Sequence, residues 1–184
     1  VLSCDLSQAC EVGGAMRASV SMCGGGLRLR GLLHAAGGSA DRTLRRMSAH
    51  EMGAVLGAKA RGAWTLHGAA QREVLEAVVL LSSVAAAIGS EGQANYALAN
   101  GYLDALASGS RAVGLPSSSM QPLPVRGVGL GRGDTLRKLE AEMGGPCSLS
   151  AAQYAGWLRH VLAAHAGVGI LPPPVVLALP DSVL

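Results

Sequence analysis

Tyr96 and Asn100 stand four residues apart, and on a helix that spacing puts both on one face. A phenol can hand over a proton, and an amide can orient it or bind a water. Asparagine is mildly unfavourable inside a helix, so its place there asks for a reason. Ala94, Ala97, Ala99 and Gly101 are small and let this helix approach a neighbour closely. A tyrosine that fills core and leaves its hydroxyl at the surface satisfies the same spacing. Lys59 follows Leu56, Val55 and Met52 by three, four and seven residues, within the apolar stripe of another helix. A buried ammonium is costly and its pKa moves readily. Two readings fit the spacing: a stem that carries its charge out to water, and a lysine aimed at a reacting group. Ser82 and Ser83 close the apolar run Ala77–Leu81. They either begin a polar loop or stand where an open parallel sheet binds its ligands, beyond its strand ends.

The elements that must position these groups alternate. Short apolar stretches at Val1–Cys4, Leu32–Ala36, Ala77–Leu81, Ser118–Gln121 and Val175–Leu179 read as strands. Ala77–Leu81 is apolar throughout, as a strand buried on both faces should be. Ser48-Ala49-His50-Glu51 is a capping box, and the helix it opens extends to about Gln71. A second helix runs from Gln93 to about Ser108. A third opens on the capping box Ser150–Gln153, with Tyr154, Trp157, Leu158, Val161 and Leu162 on its apolar face. Gly114–Gly133, rich in glycine and proline, reads as a long loop. Strands alternating with helices predict an α/β fold with a parallel sheet and helices on both faces.

Composition bounds the rest. At 184 residues, with 49% hydrophobic and 15% charged, the chain has enough apolar material for one core and too little length for two comfortable ones. No uncharged apolar run reaches the ~20 residues of a membrane helix. The net charge of +3, with no basic stripe interleaved with aromatics, does not suggest nucleic acid. Cys4, Cys10, Cys23 and Cys147 form no CxxC, and no histidine pair has ligand spacing, so no metal site is expected. The thiols read as reduced, in a cytoplasmic setting. Phenylalanine is absent, so Leu, Val, Ala and Gly must build the core.

Four separated segments carry a resemblance. They are Leu32-Leu33-His34-Ala35-Ala36-Gly37, Gly57–Leu66 around Lys59, Leu80–Ala85 with its serine pair, and Gly89–Asn100. In this order and spacing they resemble the ketoreductase domain of modular polyketide synthases, of the short-chain dehydrogenase/reductase superfamily. Ordinary members of that superfamily have a lysine four residues after the tyrosine. Here Asn100 takes that position and the lysine comes earlier, at Lys59, an exchange characteristic of the synthase reductases.

The resemblance implies a Rossmann-like domain over residues 1–184 and NADPH as the cofactor. The implied reaction reduces a β-ketoacyl chain on an acyl carrier protein to its β-hydroxy form, in polyketide or fatty-acid-type biosynthesis. Tyr96 is implied as the general acid, Ser83 as the group that orients the ketone, and Lys59 as the cation that lowers the tyrosine pKa. Asn100 would hold the lysine or a relay water. Asp5 would hydrogen-bond the adenine. His34, Ala35, Ala36 and Gly37 would form the turn beside the cofactor, with Pro124 across from it. Asp41, Ile88 and Gln93 would bear on substrate and stereocontrol. Other synthase domains are the implied partners.

The departures have consequences. No glycine-rich turn after a strand is found, so the family's first β-α-β segment is expected to be missing. The chain alone should then bind NADPH weakly. The family's tryptophan-glycine-proline-tryptophan run is Gln121-Pro122-Leu123-Pro124-Val125 here, and only the proline remains. One stereochemical class carries Leu-Asp-Asp where this chain has Ser39-Ala40-Asp41. The opposite class carries a tryptophan where this chain has Ile88, so the aspartate class is favoured. Two other readings remain beside the ketoreductase: a non-catalytic structural subdomain, and a free-standing dehydrogenase. The retained side chains and the Lys59/Asn100 exchange weigh against them.

Overall fold

The computed structural model describes residues 2–22, 28–129, 133–142, 144–166 and 175–178. Four parallel strands, β1 (Gly31–His34), β2 (Ala77–Leu81), β3 (Ser117–Pro122) and β4 (Val175–Ala178), lie side by side in that order. Leu32 pairs with Val78, Leu80 with Ser119 and Met120 with Val176. The helices are α1 (Ala9–Met22), α2 (Ala49–Leu56), α3 (Gly62–Ala70), α4 (Ala85–Ile88), α5 (Ala94–Ala112), α6 (Gly133–Glu142) and α7 (Ala151–Ala166). A π-turn, Gly57–Arg61, joins α2 to α3.

Alternation along β2 builds two cores. Val79 joins Met120 and Val176 beneath α7, which contributes Val161, Tyr154, Trp157 and Leu158. Val78 and Leu80 point the other way, onto Ala63 and Ala70 of α3 and Leu103 and Ala107 of α5. The sheet is thus covered on both faces, and a strand buried twice must be apolar throughout. Both capping boxes form. Glu51 N–H donates to Ser48 Oγ and Ser48 N–H to Glu51 Oε2, while Ser150 and Gln153 repeat the exchange.

Several expectations need correction. Residues 2–5 form no strand, because no ladder runs beside them among the described residues. The helix α1 was not anticipated. The strand read at Ser118–Gln121 does form, as β3, one residue longer at each end, and its Ser117, Ser118 and Ser119 are buried despite their polarity. Asp104 of α5 supports that strand by accepting from Ser119 Oγ and, at 2.7 Å, from Gln121 Nε2. Leu179 lies outside the described residues.

Candidate active site

Residues following β2 and β3 and opening α5 meet at the C-terminal edge of the sheet. They border a cleft of ≈ 390 Å³ lined by Ser83, Tyr96, Pro124, Val125 and Tyr154, among others. One wall is fixed from two directions. Leu149 N–H donates to the Pro124 carbonyl and Arg126 N–H to the Leu149 carbonyl, which ties the segment after β3 to the start of α7.

Tyr96 occupies the first turn of α5, where Asn95 Oδ1 accepts its amide at 2.8 Å. Burial pushes its phenol above the ordinary range. The Ser83 and Asn100 side chains beside it pull the other way, and the Asp41 carboxylate adds to the rise. Asn100 is fully buried, its Nδ2 donating to the Tyr96 carbonyl and its own carbonyl accepting from Ser82 Oγ. Its Oδ1 is buried without a partner among the described residues. Ser83 Oγ accepts from Ala85 N–H, which holds it at the start of α4.

Lys59 comes from the π-turn and is 5% exposed, so its stem does not carry the charge to water. Its Nζ donates to the Leu81 carbonyl at 2.8 Å and lies 5.4 Å from the centre of the Tyr96 ring. Burial lowers its pKa to about 8, against a smaller upward pull from Asp104. The structure therefore brings Lys59, Ser83, Tyr96 and Asn100 together. The lysine bonds the end of β2 rather than Asn100.

The other candidate residues divide. His34 is 1% exposed, and its ring turns inward to the Lys59 carbonyl at 3.1 Å. That geometry gives the ring a structural place, with the backbone of the turn after it left at the strand end. Ala35 and Ala36 follow it at the strand end, and Gly37 packs on the Lys59 stem. A Cβ on Gly37 would stand 2.6 Å from Lys59 Cε, and its φ of +155° also favours glycine. Gln93 Nε2 donates to Asp41 Oδ2 at 3.0 Å, and Gly92 O accepts from Arg42 N–H, so the loop after Gly37 is fastened to the entrance of α5. Ile88 is exposed on α4. Asp5 is exposed, and its carboxylate accepts from Ser7 N–H before α1.

Sequence reasoning missed Asn95 and Asp104. Asn95 is fully buried, and its Nδ2 donates to Ala40 O at 2.9 Å. The signal was an asparagine in the first turn of a helix, where that residue favours local backbone bonds. For Asp104 the signal was the one carboxylate of α5, one residue after Leu103 and two before Leu106. Among the described residues no group of side chains could hold a metal ion, and no helix is long and apolar enough to cross a membrane.

A family model for the KR domain matches residues 1–127. Polyketide synthase GfsB of Streptomyces halstedii is 43% identical over 120 residues, 65% of this chain and 2% of its own length. Mycoketide-CoA synthase of Mycobacterium tuberculosis is 42% identical over 92 residues, 50% of this chain and 2% of its own. The chain thus spans a small fraction of these relatives. A solved A1-type ketoreductase superposes with a TM-score of 0.81 at 26% identity, covering 98% of this chain and 36% of that one. The first ketoreductase of the tylosin synthase superposes at 0.78 and 26%, covering 96% and 35%.

Proposed function

The chain belongs to the KR domain family, the ketoreductases of modular polyketide synthases within the short-chain dehydrogenase/reductase superfamily, and on that premise we propose what it does. Residues 1–184 act as one domain unit that reduces a β-ketoacyl thioester to a β-hydroxyacyl thioester. The substrate is carried by an acyl carrier protein, the reductant is NADPH, and the other domains of a cytoplasmic synthase are the partners. The free thiols of Cys4 and Cys10 suit a reducing compartment. The observation that carries the reading is the Tyr96 phenol flanked by Ser83 and Asn100, with the Lys59 ammonium under its ring.

The cleft fits such a cofactor at its reactive end. Because β2 lies between β1 and β3, the residues after β1 and β3 flank the serine pair. Ala35, Ala36 and Gly37 would hold the ring on one side and Pro124 on the other. When bound, NADPH supplies the hydride. Tyr96 gives its proton to the ketone oxygen as that oxygen becomes a hydroxyl. Ser83 hydrogen-bonds the same oxygen and fixes the carbonyl plane. The Lys59 charge steadies the phenolate left behind. The open acceptor of Asn100 Oδ1 receives a water that returns the proton. Asp41 and Gln93, bonded to each other beside Tyr96, shape the approach of the acyl chain and favour the aspartate stereochemical class.

The test follows NADPH consumption by the intact synthase protein on an acyl-carrier-bound β-ketoacyl chain, beside NADH and beside a free small ketone. Reduction with NADPH and the thioester is expected. Turnover confined to the small ketone would overturn the reading.

A further inference from the structure

π-turns are rare and gather at functional positions because each inserts one residue and re-aims the side chains around it. The one at Gly57–Arg61 carries Lys59, and its ladder is strained for donors. The Gly62 amide reaches back to the Gly57 carbonyl and is shared with that of Lys59. The Lys59 carbonyl then takes a donor from outside the helix, His34 Nε2 at 3.1 Å. A carbonyl only accepts, so Nε2 must carry the hydrogen. Nδ1 is buried without a partner among the described residues, as suits a neutral ring with no proton there. Burial and the neighbouring Lys59 charge both oppose a second proton.

We propose that His34 is a positioning residue: its bond to the Lys59 carbonyl locks the π-turn, so that the lysine stem lies along Gly37 and the ammonium lies under the Tyr96 ring. The proposal rests on the reading of Lys59 as the partner of Tyr96. A ring that merely filled space would need no hydrogen bond, and Gly37 closes on the lysine stem from another side. A Cβ there meets Lys59 Cε at 2.6 Å and Cγ at 2.9 Å. The groups that face the lysine are His34 from β1, the Leu81 carbonyl from β2, and Tyr96 and Asp104 from α5.

The experiment uses two amides that differ in reach. In His34→Gln the amide nitrogen takes the place of Nε2 and keeps the bond. In His34→Asn it takes the place of Nδ1 and falls short. Competitive acetylation across pH, read by mass spectrometry on the peptides of Lys59 and Lys138, the two lysines of the chain, gives the Lys59 amine titration with an internal reference. In the wild type and His34→Gln the amine is expected to titrate at about 8. In His34→Asn and in Gly37→Ala it is expected to move up toward an exposed lysine, with kcat for ketone reduction falling on the order of 10²-fold. Equal behaviour of the two amides, with both folded by circular dichroism, overturns the proposal. Should His34→Asn fail to fold, nitrogen-15 spectra of the wild-type ring decide, since a ring protonated on Nδ1 overturns it and one protonated on Nε2 supports it. A shifted amine with unchanged ketone reduction upholds the lock and removes Lys59 from its assigned role.

Discussion

The Lys59 ammonium lies 5.4 Å from the centre of the Tyr96 ring while it donates to the Leu81 carbonyl at 2.8 Å. One cation is thus held by the end of a strand and faces the negative surface of the aromatic ring beside it. The two residues are 37 apart in sequence, and the π-turn and the first turn of α5 bring them together.

Tyr96→Phe keeps the ring and its contact with the lysine but removes the proton. It should lower kcat for ketone reduction by ~10²–10⁴-fold, with little change in KM or in the thermal midpoint. Steady-state kinetics on the β-ketoacyl thioester check this, and an active phenylalanine variant would take Tyr96 out of the reaction.

The Lys59 amine carries its charge below pH about 8 and loses it above. Reduction should therefore be level on the acid side and fall as pH rises through about 8. The pH profile of kcat/KM for the wild type reads this directly. Activity that stays level to pH 10 would contradict the electrostatic role of the ammonium.

The same burial has a stability sign. The folded amine has its pKa depressed from 10.5 to about 8, so the folded state holds its proton less tightly than the unfolded one. The lysine's penalty is absent above pH 10.5 and grows to its full size as pH falls through about 8. Lys59→Met should accordingly stabilise the protein at pH 7 by on the order of 1–3 kcal/mol, offset in part by the lost bond to Leu81. The gain should shrink between pH 8 and 10. Urea midpoints at the two ends of that range test the trend.

Asp104 links strand support to the site. Asp104→Leu strands the buried Gln121 amide and the Ser119 hydroxyl and should cost ~1–3 kcal/mol, read from denaturant melts. Asp104→Asn keeps an acceptor but removes the charge that raises the Lys59 pKa. The alkaline fall in activity should then move to lower pH.

Gln93→Leu breaks the bond to Asp41 and frees the loop after Gly37 at the entrance of α5. The expected result is a higher KM and a less uniform product configuration, with kcat within about tenfold of wild type. Chiral chromatography of the β-hydroxy product gives the second readout, and unchanged configuration and KM would free this pair from substrate placement.

Much of the sheet was legible because its physics is local. The short unbroken apolar run Ala77–Leu81, closed by Ser82 and Ser83, suits a doubly buried strand better than a helix, and Ser48 and Ser150 announce helix starts with their own side chains. α1 was hidden because Gly13 and Gly14 weaken its propensity and Val12 is its one buried residue. β3 was faint because three serines occupy a central strand, and the support of Ser119 by Asp104 and of Ser118 by His165 comes from distant helices.

The site divides the same way. Residue identity and helical spacing put Tyr96 beside Asn100, set Ser83 at a strand end and marked Lys59 as a cation in an apolar stripe, because these depend on neighbours within a turn or a strand. Only the folded chain decided where the lysine went. The π-turn has no signature in Gly57-Ala58-Lys59-Ala60, which an ordinary helix accepts equally well. It forms against His34 and Gly37, more than twenty residues earlier, and contacts between such distant residues exist only once the strand and the helix have packed.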